Sequence, residues 1–579
     1  MVYYDNKEFN TDIEYEVYIL NKYLSIHYGQ DNAVKLITAN KSDLDKLAKA
    51  LGAEDIGFFC LYFMSDTFVV KDTNVARQLS EGHYELWEIA NSIFIKDEYD
   101  KAAVIEPRGF AKTTIFDMAA ATWLHCYKKS LFTLIGAKTD TDSVQFLDSI
   151  KKVLNENKKI IRNFGRLVDP KKFKVNANEM ELTNGTYLRT VGSGTSVRGA
   201  NWGGIRPTVF IGDDFQDEKN ILTEEARIKH YNKWTKEIEQ VGDKAVYRNG
   251  LKIKSATKVI AIGTVLHVDC LMSRLSRNND YYTVLKRAII LKENQTVDDI
   301  FESELWIKCK QIYFDDKLEK EERKRQAYEF YKNNIEKMKF PTLWEEKWDC
   351  FNDLAIPYWE NRQAFMSEMM NDASSIGEKW FKSVRTQTSE EIENHTFTKT
   401  MLCIDPASTT SKKSDYTAMG VGSKADNDFT YIRDLVMKKL SFEQYCKKAV
   451  DLLVKWIDIT HIQIEKNTYQ GADVLKIQEL ILKEPSLKGR RFEWINKMQK
   501  QNKDEKISTV VDPVNNGQII INSECEDSNE AVEQIKDFQG QQYTLHDDFI
   551  DMVAELENGL KNIQVVNKVI FLDKRKLGL

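Results

Sequence analysis

Val104–Thr114 reads VIEPRGFAKTT, and about 100 positions later Thr208–Asp214 reads TVFIGDD. A phosphate-binding loop needs backbone N–H groups curled around an anion, a lysine for the outer phosphates and a hydroxyl for a divalent cation. It leaves a strand and enters a helix. AAVI, EPRGFA and Lys112-Thr113-Thr114 follow that order. Lys112 is the candidate phosphate contact and Thr113 the candidate metal ligand, with Arg108, Gly109, Ala111 and Thr114 completing the loop. The general pattern G-x-x-x-x-G-K-[ST] is not fully kept, because Glu106 and Ala111 occupy its two glycine positions. The acid pair supports the reading: Asp213 at a strand tip would hold the Mg²⁺ of a bound ATP, and Asp214 would orient the attacking water. IAIGTV places Thr264 at another strand end, where its hydroxyl could sense the γ-phosphate. Arg108, Arg198 and Arg206 are candidates to neutralise the transferring phosphoryl group; the sequence leaves open which of them acts, and in which subunit.

A second set of acids lies far downstream. Asp405 ends the apolar run MLCI, Asp415 follows in KKSDYTAMG, Glu465 ends HIQIE, and Asp547, Asp548 and Asp551 open a helix in HDDFIDMVAEL. Clustered carboxylates hold the divalent ions that activate water and stabilise the leaving oxygen in phosphodiester hydrolysis. Oxygen donors select Mg²⁺ or Mn²⁺. Asp548, Asp551 and Glu555 share one helix side, while Phe549, Met552, Val553 and Leu556 form an apolar stripe. The order strand acid, strand acid, helix acid is that of a ribonuclease-H-like metal site. Read singly, Asp547 is equally an N-cap.

The elements that must position these residues follow from pattern. At 579 residues the chain exceeds one core, so two or three domains are expected. Residues 1–80 read as a helical N-terminal region, 81–390 as an ATPase motor domain with a helical subdomain, and 398–579 as a nuclease domain. From about 100 to 270, β runs alternate with helical segments, which argues for an α/β fold with a mostly parallel sheet. Asn184-Gly185 marks a hairpin. Asp315–Phe340 reads as one long solvated helix or two. No apolar run approaches the ~20 residues of a membrane span, and the acidic start lacks a signal core. Eight scattered cysteines without CxxC spacing read as reduced and mostly buried. A net charge of −6 neither advertises nor excludes nucleic-acid binding, which depends on local basic patches.

PRGFAKTT, RGANWGGIRPTVFIGDD, IGT, IDPASTTSKKSDYTAMG, IEKNTYQG and HDDFIDMVAEL, in that order, resemble the large terminase subunit of tailed bacteriophages. The resemblance spans roughly residues 80 to 560. It implies a P-loop ATPase that drives double-stranded DNA into a procapsid and a ribonuclease-H-like endonuclease that cuts concatemeric DNA. It implies ATP and Mg²⁺ as cofactors, with Mn²⁺ an option at the nuclease. The implied partners are double-stranded DNA, the portal protein, a small terminase subunit and a homo-oligomeric ring, a pentamer on the portal. The implied location is the host cell cytoplasm, outside the mature virion. It assigns Lys112, Thr113 and Asp213 to the nucleotide and its metal. Asp405, Glu465 and either Asp547 or Asp548 become nuclease metal ligands. Many relatives carry Glu where this chain has Asp214, so Glu218 is an alternative base. The rival readings are a translocase or helicase with an inert C-terminal domain, an adaptor with a decayed ATP loop, and an integrase-like recombinase.

Overall fold

The computed structural model describes residues 1–40, 43–217, 220–221, 223–372, 380–407, 416–464, 471–495, 503–540 and 547–563. Asp415, Glu218 and Glu465 lie outside the described residues. The chain divides into two compact units. Met1–Val297, Phe340–Tyr358 and Gln363–Ile376 make the first; Asp298–Lys339, Trp359–Arg362 and Gly377–Leu579 make the second. The helical stretch 298–339, placed with the motor by the sequence, thus clusters with the second unit.

The N-terminal region is helical as expected, but it opens on a small antiparallel sheet of Val2–Tyr4, Lys7–Phe9 and Val70–Lys71. The apolar run after Asp55 forms the helix Ile56–Phe63, buried at every residue. Asp55 caps it, accepting from Phe58 N–H at 2.7 Å.

The first unit is built on seven strands in the order Tyr282–Leu285, Lys101–Ile105, Lys258–Gly263, Val209–Asp213, Phe132–Ala137, Tyr187–Gly192 and Glu179–Glu181. All neighbours are parallel except the last pair, the hairpin around Asn184-Gly185. Strands buried on both faces read as continuous apolar runs, as VFIG and VIAIG do. Gly263 pairs with Ile105 on one side, and Ile262 with Asp213 on the other. The loop strand and the acid strand therefore end at the same level, either side of Lys258–Gly263.

The second unit also has a seven-stranded sheet: Arg385–Gln387, Ile519–Asn522, Thr430–Lys438, Thr417–Ala425, Phe397–Asp405, His461–Ile464 and Glu493–Ile495. Three long antiparallel strands, Phe397 to Lys438, are flanked by parallel ones. Alternation sorts the side chains. Met401 and Cys403 join the core with Met552, Val553 and Leu556, whereas Leu402 and Ile404 pack with Tyr445, Ala449 and Leu453 on the opposite face. The stretch expected as one long helix or two, Asp315–Phe340, resolves into two helices of this unit, Lys320–Asn333 and Ile335–Met338. All eight cysteines are free, and seven of them are buried. Among the described residues no helix is long and apolar enough to cross a membrane.

Candidate functional site

In the first unit the strand Lys101–Ile105 runs into the loop, and a helix begins at Lys112, widening to π-helical over Thr114–Ala120. Such widened turns collect at functional sites. The loop has the curl an anion cradle requires. Gly109 has φ 79° and Ala111 φ 67°, so Ala111 holds the left-handed conformation at a pattern position normally given to glycine. Thr113 Oγ1 donates to Asp213 Oδ2. Lys112, 5 % exposed, places its ammonium 3.4 Å from Asp214, which sits just past the strand at φ 40°. The structure thus brings Lys112, Thr113, Asp213 and Asp214 together. Thr264 is buried at the end of the intervening strand, its carbonyl accepting from Gln216 Nε2 at 3.3 Å.

The arginines differ. Arg108 makes two bonds to the Glu368 carboxylate, at 3.0 and 2.8 Å, and its backbone N–H donates to the Glu368 carbonyl. Arg198 lies 3.5 Å from Glu237, and both Arg198 and Arg206 are exposed.

Two buried acids here were not singled out as site residues. Asp117, four residues beyond Thr113, is 1 % exposed, and both its carboxylate oxygens lack a hydrogen-bond partner among the described residues. Burial, then Asp213 beside it, holds its carboxyl well above the usual carboxylate range. Asp213 is also raised, by burial and by Asp214, and its Oδ1 is unpartnered. Glu106 is fully buried, and burial pushes it up to about 8 against the pull of Lys286 and Lys112. The i, i+4 spacing of Thr113 and Asp117 was the available signal for the first. For the second it was a carboxylate standing where the pattern has glycine.

An oxygen-only donor set of Thr113 and Asp213, with an unpartnered carboxylate oxygen buried beside it, fits a hard divalent cation. A cavity of about 790 Å³ is lined by Gln78, Ser80, Gly82, Lys286 and Trp344, and Gly82 on its wall packs against the loop's Phe110. His83 stacks on the loop's Phe110 at 4.4 Å.

In the second unit the acids depend on a close approach of helix to sheet. Gly420, Gly422 and Gly559 leave no room for a side chain: a Cβ on Gly422 would meet Leu556 Cδ2 at 2.3 Å, and one on Gly420 would meet Met552 at 2.8 Å. The helix Asp548–Asn562 is thereby seated on the face shared by Met401 and Cys403, and period two puts Asp405 on that face. Asp548, 5 % exposed, accepts from Tyr416 N–H at 3.1 Å. Asp547 precedes the helix but makes no side-chain cap. It pairs instead with Lys503 at 2.6 Å.

The sequence reading missed the lysines. Lys503 also lies 3.3 Å from Asp551, while Lys506 pairs with Asp551 and, at 3.0 Å, with Glu555. Gln463 Nε2 donates to Glu555 at 3.2 Å. Burial opposes the charge on both ammoniums, but the surrounding carboxylates, Asp405 among those acting on Lys503, outweigh it and raise both. Asp405 and Asp548 offer oxygen donors suited to a hard cation. Among the described residues no group of three His, Cys, Asp or Glu side chains is spaced to hold a metal ion.

Residues 402–556 match the family model for the terminase RNaseH-like domain. Among solved structures, the chain is similar to the large terminase of a thermophilic bacteriophage, at 10 % identity over 83 % of this chain and 99 % of that one, with a TM-score of 0.42. It is also similar to the human cytomegalovirus terminase nuclease domain, at 17 % identity over 31 % of this chain and 90 % of that one, with a TM-score of 0.25. For the large terminase nuclease domain of a Thermus phage the values are 12 %, 32 %, 95 % and 0.22. Superpositions this loose carry no argument of their own. A comparison with curated proteins returns no match. The family match bears out the resemblance to large terminase subunits over residues 402–556, the stretch of the second unit that matches the terminase RNaseH-like domain.

Proposed function

We propose that the chain is an ATP-driven DNA-packaging motor joined to a metal-dependent endonuclease, moving double-stranded viral DNA into a procapsid and cutting concatemers. The reading is carried by one observation: a single chain joins a curled Lys-Thr-Thr loop, bonded to a strand-tip acid, to a terminase RNaseH-like domain.

In the motor, Lys112 binds the outer phosphates and loop N–H groups at Gly109 and Ala111 cradle them. Thr113 and Asp213 hold Mg²⁺, which supplies charge neutralisation on the phosphates. Asp214, beside Lys112, orients the water, and Thr264 responds to the γ-phosphate. Arg108 starts out bound to Glu368, so its use on a phosphate requires that pair to open. The cavity beside Phe110 takes the nucleoside half.

In the nuclease, Asp405, Glu465 and Asp548 are the proposed metal ligands, with Mg²⁺ or Mn²⁺ supplying an activated hydroxide. Asp548 is favoured over Asp547, whose carboxylate is engaged by Lys503. Double-stranded DNA is gripped through its backbone, without sequence preference. A portal, a small subunit and a ring of copies complete the proposed machine in the host cytoplasm. A second reading, a translocase with an inert C-terminal domain, draws on the ammoniums among the carboxylates.

The test incubates the chain with plasmid, ATP and Mg²⁺ or Mn²⁺, comparing wild type with Lys112→Ala and Asp405→Ala. Separate losses of ATP turnover and of DNA nicking are expected. Unchanged nicking in Asp405→Ala supports the second reading, and no ATP turnover in wild type removes the motor.

A further inference from the structure

Asp117 stands one turn into the helix that leaves the phosphate loop. It is 1 % exposed, and neither of its carboxylate oxygens accepts a hydrogen bond among the described residues. A carboxyl group buried for structural reasons is ordinarily surrounded by donors, because an unsatisfied one is costly. What Asp117 faces instead is another acid: its carboxyl lies within hydrogen-bonding reach of that of Asp213, and Asp214 contributes further negative charge. Asp213 gives one oxygen to the Thr113 hydroxyl and leaves Oδ1 unpartnered. Thr113, Asp117 and Asp213 thus converge, and the two carboxyls can bond to each other only while one of them keeps its proton. Lys112 directs its ammonium to Asp214 at 3.4 Å, and its charge reaches Asp117 and Asp213 without an ion pair to either among the described residues. Glu106, the other unpartnered buried acid of the loop, instead faces lysine charge from Lys286 and Lys112.

We propose that Asp117 holds the nucleotide-associated divalent cation together with Thr113 and Asp213. Oxygen donors of this kind suit Mg²⁺ or Mn²⁺, and a divalent charge is what two adjacent buried carboxylates need. The helix sets the geometry, since residues four apart share a face. Asp117 is therefore a third anchor of the ion, supplied by the loop helix and not by the acid strand. This rests on the nucleotide site proposed above.

The test uses the full chain and Mn²⁺ binding read by electron paramagnetic resonance, with and without a non-hydrolysable ATP analogue; the nucleotide-dependent part isolates this site from the nuclease. Nucleotide binding in EDTA is measured alongside. Asp117→Asn is expected to weaken nucleotide-dependent Mn²⁺ binding by at least about tenfold, to leave metal-free nucleotide binding unchanged, and to keep or raise the metal-free melting temperature. Asp117→Leu provides a second variant if the amide fails to fold. Mn²⁺ affinity within about twofold of wild type in either variant overturns the proposal. So does a lowered metal-free melting temperature with Mn²⁺ affinity lost only in proportion to unfolding. Should wild type bind no nucleotide even in EDTA, the nucleotide site itself fails, an outcome distinct from normal nucleotide binding with unaltered Mn²⁺ affinity.

Discussion

Thr113 hands its hydroxyl hydrogen to Asp213, 100 positions further along the chain. The bond joins the first turn of the loop helix to the tip of a strand that is not its neighbour, because Lys258–Gly263 runs between the two. Asp213→Asn keeps an oxygen for the hydroxyl but removes the charge. ATP turnover is expected to fall about 100-fold or more, while metal-free nucleotide binding persists. Phosphate release and nucleotide fluorescence, measured on one preparation, check this.

Ala111 has φ 67°, where an L-residue carries about 1–2 kcal/mol of strain. Glycine would relieve it, at an entropic cost of up to about 1 kcal/mol in the unfolded chain. Ala111→Gly should therefore be neutral to stabilising by ~1 kcal/mol, whereas Ala111→Val should destabilise by at least about 1 kcal/mol. Urea denaturation of the three proteins decides; a clearly destabilised Ala111→Gly would contradict the loop geometry.

Glu106 ties stability to pH. Burial, opposed by Lys286 and Lys112, puts its carboxyl at about 8 against an ordinary value of 4.5. Between those values the native state keeps a proton that the unfolded state has released, so stability is full below about 4.5 and is lost as pH rises to about 8. The loss is on the order of a few kcal/mol. Glu106→Gln should flatten this component, seen as a smaller drop in denaturation midpoint between pH 5 and pH 8.

Lys506, buried between Asp551 and Glu555, balances charge that the core would otherwise carry unpaired. Lys506→Met is expected to cost about 3 kcal/mol. Adding Glu555→Gln should return at least about 1 kcal/mol of it, as a coupled pair requires. Strict additivity in the double-mutant cycle would show the two side chains to be energetically independent.

The sheets were readable where their strands announce themselves, whereas Tyr282–Leu285, Thr430–Lys438 and Ile519–Asn522 went unread. Continuous apolar runs mark the parallel sheet of the first unit, and acids such as Asp213 and Asp405 appear where those runs stop. Lys112 and Thr113 were readable from their place between a strand and a helix. Other features depend on distant partners. Glu368 reaches Arg108 from 260 positions away, and no local pattern announces it. Lys503 and Lys506 sit in a polar stretch, KQNKDEK, that looks like any solvated helix start, yet they lie against three carboxylates. The small N-terminal sheet was missed because its strands have three residues or fewer, too short for alternation to register. Asp117 was passed over because a single acid on a helix usually faces water.

The lysines among the C-terminal acids bear on how the protein tolerates the absence of metal. Zinc fingers fall apart when their ion is stripped, since nothing else counters their ligands. Here Lys503 and Lys506 already offset the negative charge of Asp547, Asp551 and Glu555, and Lys503 also feels the charge of Asp405, one of the proposed ligands. On the proposed function, EDTA should therefore disarm the proposed DNA cutting without dismantling the domain, leaving an inactive protein that regains function once divalent ions are restored.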